Sequence, residues 1–148
     1  MGIEATKPFL DLHAELRDHV EHLPVAAHEL PDLDVDERVD LIERIVGFLS
    51  ETLLPHAAAE ERVLYPRAAR ILARSDESAD VAIDEAAVRE RITDLAAADP
   101  EDAGHLQELL YAIYALLSSH LWREEQLYLE LLASDHEADA RRLLRQLS

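Results

Sequence analysis

The pattern His-x-x-x-Glu-Glu occurs twice, as His56-Ala57-Ala58-Ala59-Glu60-Glu61 and as His120-Leu121-Trp122-Arg123-Glu124-Glu125. Residues four apart on a helix share a face one turn from each other. An imidazole nitrogen and a carboxylate oxygen in that relation can reach one point, which is half a metal site supplied by a single helix. A chain of this composition would contain on the order of 0.1 copies by chance, so two copies are a signal. An ionised carboxylate on an apolar face costs several kcal/mol unless it is paired or bound to a metal. The question is therefore which of these side chains point inward.

Helical wheels at about 100° per residue sort them. Around the first copy, Leu53, Ala57, Val63, Leu64 and Ile71 define an apolar face that contains His56 and Glu60, with Glu61 at its edge. Around the second, Leu109, Leu110, Ile113, Leu116, Leu117, Leu127 and Leu131 do so, with Glu124 near the centre, His120 beside it and Glu125 at the edge. Two inward Glu residues, each a turn from an inward His, either bind a cation between helices or form two His–Glu hydrogen bonds in the core. An earlier stripe, Leu12, Leu16, Leu23, Ala26 and Leu30, includes His19 as a further candidate ligand. His22 lies toward that stripe's edge and is either a ligand or a polar rim residue. A fourth face, Val81, Val88, Ile92, Leu95 and Ala96, carries no histidine but includes Glu85, which serves as a ligand or pairs with Arg89 four residues on. His13, His28, His105 and His136 fall at edges or helix ends and read as solvated, Tyr65 and Tyr128 as rim packing. Trp122 lies opposite the apolar face, where it packs on the C-terminal segment or on a partner subunit.

The elements that must position these groups are all helices. One is expected over residues 7–30, kinked at Pro24 and ended by Pro31-Asp32. A second runs over 34–73, opened by an Asp34/Glu37 cap pair and interrupted at Pro55, which frees the carbonyl of Glu51 beside His56. A third spans 78–98. A fourth spans 100–133, with Asp99 as cap and Pro100 in the first helical position. Ser134 and Glu137 can form a capping box for a short fifth helix to Leu147. No strand pattern or Gly-rich phosphate loop appears. Short connections make neighbouring helices antiparallel, so the fold class is all-α: an up-down four-helix bundle with a short C-terminal fifth helix.

Composition agrees. The 148 residues fit a single domain over 1–148 with a sizeable core. Hydrophobic residues at 49% are too many for a disordered chain, and scarce Gly favours helix. A formal net charge of −18 repels phosphate backbones and anionic lipid, so no nucleic-acid or membrane partner is expected. With no cysteine, disulfides, iron–sulfur clusters and thiolate zinc sites are excluded. No apolar run approaches the roughly 20 residues of a membrane span. Met1–Pro8 lacks the basic-then-apolar pattern of a secretory signal, so a cytoplasmic protein is expected. Nothing fixes the oligomeric state.

Three segments resemble a known family. Asp18-His19-Val20-Glu21-His22-Leu23-Pro24 is similar to a first-helix signature, Leu54-Pro55-His56 through Glu60-Glu61-Arg62-Val63-Leu64-Tyr65-Pro66 to a second-helix motif, and Leu109 through Leu116 leading to His120 and Glu124-Glu125 to a fourth. Together they resemble the hemerythrin-like, HHE cation-binding domains, the bacterial and especially actinobacterial branch above all. The resemblance implies a non-haem di-iron centre in a four-helix bundle, two irons bridged by oxo, hydroxo or carboxylate groups. His19, His56, Glu60, His120 and Glu124 would be ligands, the glutamates able to bridge. It also implies a small ligand, O2, NO or peroxide, or a place in iron homeostasis. Where the family usually has a third-helix histidine after Asp, this chain has Asp84-Glu85. The oxygen-rich set favours iron or manganese over copper or zinc and resembles oxidase and ferritin-like centres more than a reversible oxygen carrier. The expectation is a metal protein that binds or activates such a ligand. The alternatives are a sensor or store without turnover, and a structural bundle with a degenerate site. Whether it is an enzyme stays open.

Overall fold

The computed structural model describes residues 2–59, 70, 77–133 and 142; for 2–10, 12, 77–85 and 128–133 it describes the backbone alone. Among the described residues every regular element is helical and no strand occurs.

The first expected helix is two. α1 spans Gly2–Glu21 and α2 spans Leu23–Glu29, with Pro24 in the first turn of α2. Proline has no N–H to continue the ladder, and the break falls just before it, at His22. The backbone N–H of His22 donates to the His19 carbonyl at 3.2 Å, a tighter turn than the α form. That shift releases the Asp18 carbonyl, which accepts instead from Nδ1–H of His22 at 2.6 Å. His22 is thus occupied in closing the break that Pro24 imposes. A 3-10 turn over Leu30–Asp32 ends the segment.

α3 spans Val35–Phe48 and opens on the expected capping box: Glu37 N–H donates to Asp34 Oδ1 at 2.9 Å and Asp34 N–H to Glu37 Oε1 at 3.2 Å. Its C-terminal end widens into a π turn over Leu49–Leu53, where Leu54 N–H donates five residues back to Leu49, and residues 54–59 return to α form. The interruption expected at Pro55 is therefore a widened turn immediately before it, a device that recurs at functional sites.

α4 spans Glu77–Ala97 and α5 spans Ala103–Ala133. α5 begins later than expected because a second aspartate captures the cap. Asp102 Oδ1 accepts from His105 N–H at 3.1 Å, while Asp99 and Pro100 form a turn closed by Asp102 N–H on the Asp99 carbonyl. The short fifth helix expected from Ser134 lies outside the described residues.

α5 packs against α1 and α2 on one side and α4 on the other, and α4 packs against α3. α5 runs antiparallel to the α1–α2 pair: Gln107 Nε2–H donates to the Ala27 carbonyl, Tyr114 O–H to Glu21, and further along His13 meets Glu124. Leu30, Leu49, Leu95, Leu106, Leu110, Ile113 and Leu117 are the largest fully buried side chains of the shared core. At one end Arg38 joins three segments, its guanidinium donating to the carbonyls of Leu30, Pro31, Pro100 and Glu101 at 3.0–3.4 Å. No helix among the described residues is long and apolar enough to cross a membrane.

Candidate metal centre

The buried polar groups of the described core are His13, His120 and Glu124, at 2%, 5% and 2% exposure. They touch. Glu124 uses its two oxygens separately: Oε1 lies 2.7 Å from His120 Nε2 on the same helix, and Oε2 lies 3.2 Å from His13 Nε2 on α1. The ring of His56, just past the π turn, stands edge-on to that of His13 with centroids 5.6 Å apart. Nδ1 of His13, Nε2 of His56 and Nδ1 of His120 are all shut off from solvent. Three helical segments thus deliver three imidazoles and one carboxylate to one buried region.

The local reasons are distinct. His120 and Glu124 are one turn apart on α5, so helix geometry alone brings them together. His13 reaches them because the face that α1 and α2 bury is His13, Leu16, Val20, Leu23, Ala27 and Leu30, alternating steps of three and four. His56 sits one residue before the buried Ala57, downstream of the π turn that begins at the buried Leu49. Outside the cluster, Arg17, a turn after His13, donates from Nε and Nη2 to Glu125 Oε1 at 3.0 and 2.7 Å. Glu125 is therefore a half-buried rim residue tied across the helix pair, while its neighbour Glu124 points in.

Two histidine readings change. His13, expected to be solvated, is the first-helix member of the cluster. His19, expected in the buried stripe, is exposed, because Val20 takes the inward position; its ring lies on Phe48 with centroids 4.6 Å apart, in a groove between α1–α2 and α3. His22, also exposed, lines the same groove. The structure brings neither to the cluster. His28 and His105 are exposed, as expected. Glu60, Glu61, Tyr65 and His136 lie outside the described residues. Glu85 lies in α4, three residues before the buried Val88; its side chain and that of Tyr128 are also outside the described part, and with Glu85 the alternative pairing to Arg89.

Among the described residues no three His, Asp or Glu side chains converge closely enough to hold a metal ion by themselves. Glu124 directs its oxygens at two different imidazoles, and the donors meet as hydrogen-bonding neighbours rather than around one centre. The donor chemistry nevertheless fits a first-row cation: imidazole nitrogens beside a carboxylate whose burial disfavours its charge unless a cationic or hydrogen-bonding partner balances it.

Searches of curated proteins and of solved structures gave no match. Residues 5–132, however, match the family model described as the hemerythrin HHE cation-binding domain, a span that includes His13, His56, His120 and Glu124. By that match and its all-helical bundle, the chain belongs to the hemerythrin HHE family and carries a cation-binding domain.

Proposed function

We propose that this protein holds a non-haem di-iron centre at the His13–His56–His120–Glu124 cluster and uses it to bind or activate a small ligand, O2, NO or peroxide. The observation that carries this reading is Glu124, a carboxylate 2% exposed and held by imidazoles from two different helices. His13, His56, His120 and Glu124 would supply ligands, with Glu60 and Glu85 as the carboxylates the sequence offers to complete the set. Manganese would suit the same hard donors. Iron bound there would supply a change of oxidation state and an open position for the ligand.

The chain's own contribution is holding, orienting and drying. Helix spacing fixes His120 against Glu124, and the α1–α5 contact fixes His13 against the other oxygen. Within about a turn on the same elements, Leu16, Leu53, Leu117 and Leu127 are buried and exclude bulk water. The net charge of −18 draws cations and disfavours polyanionic partners. The test is metal analysis of protein produced with iron and manganese both supplied, followed by peroxide consumption. Two irons per chain and peroxide turnover are expected. Stoichiometric iron without turnover would make the protein a sensor or store, and protein that takes up neither metal would sink the reading.

A further inference from the structure

We propose that Arg17 is a positioning residue for the cluster: its pair with Glu125 fixes the α1–α5 register at which His13 meets Glu124. The inference deepens the metal reading above and takes its significance from it. Arg17 follows His13 by one turn on α1, and Glu125 follows Glu124 directly on α5. The two cross-helix contacts are therefore adjacent, the inner one between ligand candidates and the outer one between Arg17 and Glu125. Nε and Nη2 of Arg17 both donate to Glu125 Oε1, and a second carboxylate, Glu21, stands 4.0 Å away on the next turn of α1.

Exposed ion pairs contribute little to global stability, and the significance of this one is its location. The other described tethers to α5, Glu21–Tyr114 from α1 and Ala27–Gln107 from α2, lie progressively farther along it, away from His13. Beside the cluster, Arg17–Glu125 is the described polar tether that keeps α1 from sliding or rolling on α5. A small roll of α1 would break the 3.2 Å contact of His13 with Glu124 while leaving the 2.7 Å contact within α5 intact. Groups that orient ligands from outside the ligand set have measurable effects on metal sites.

The test compares wild type, Arg17→Met, Arg17→Lys and, as a control at a distance on the neighbouring α2–α5 pair, Gln107→Met. In metal-free protein, nitrogen-15 spectra of the histidine rings report His13 directly. Arg17→Met is expected to shift the His13 ring signals and leave those of His120 in place, Arg17→Lys to restore them in part, and Gln107→Met to leave both unchanged. Iron(II) or manganese(II) titration is then expected to show about tenfold weaker binding for Arg17→Met, with Arg17→Met/Glu125→Gln no weaker than the single variant because the two act as one unit. Ring signals of His13 that ignore Arg17→Met, or that move equally in Gln107→Met, would overturn the proposal. A wild-type protein that binds no iron or manganese would overturn the metal reading alone, and the ring signals would still decide the role of Arg17.

Discussion

Glu124 and the two imidazoles that meet it place the sharpest demands on single residues. Replacing His13 by Ala removes a donor that is 2% exposed and leaves Glu124 Oε2 without that neighbour, whereas His19→Ala trims an exposed ring lying on Phe48. His13→Ala is therefore expected to weaken iron binding by at least about tenfold, no less than a residue that merely orients a ligand would. His19→Ala should leave the dissociation constant unchanged; titration of the two variants side by side decides it. The inward face of Glu124 and the rim position of Glu125 were legible because one helix fixes both. The choice between His13 and His19 was not. Two stripes share Leu16, Leu23 and Leu30 and differ by one residue in between, Val20 and Ala27 in one, His19 and Ala26 in the other, and each admits a single histidine. Height along the bundle breaks the tie. With Ala27 against Gln107 and Glu21 against Tyr114, His19 stands about one to two turns short of His120 and Glu124.

At the scale of elements, caps and prolines set where helices begin and bend. The Asp34/Glu37 box was readable from type and spacing, and Asp34 feels it as a lowered carboxyl pKa, chiefly through the Glu37 N–H, which favours the charged form. A group whose folded-state pKa is depressed contributes stability above its unfolded value and loses it as pH falls through the folded one. Asp34→Ala should therefore lower the melting temperature most at neutral pH, and the gap from wild type should narrow as acid protonates Asp34; a gap that widens in acid would refute this. Asp102 was missed as the α5 cap because Asp99-Pro100 offers an equally good signal three residues earlier, and only the turn closed on Asp99 shows which prevails. Pro55 announced an interruption. Whether it would become a kink or a widened turn depends on how Leu49, Leu53 and Ala57 pack, which composition does not encode.

For the whole molecule, the bundle class followed from helix-rich composition and periodicity, while the bonds that close it were hidden. Arg38 had no motif, yet it gathers carbonyls from residues 30, 31, 100 and 101. Bonds to a charged donor contribute about 1.5–3 kcal/mol. Arg38→Met should thus lower the melting temperature by roughly 5 °C in a chain of this size while leaving iron affinity unchanged, which paired thermal and binding curves would check. The arginine holds its end of the bundle with the chain's own atoms, and the apolar core beneath it asks for no cation. Order of assembly follows under the metal reading: the helices would dock first, and the His13, His120 and Glu124 side chains, which meet as hydrogen-bonding neighbours, would regroup as the metal enters, so filling would rearrange a folded protein rather than fold it.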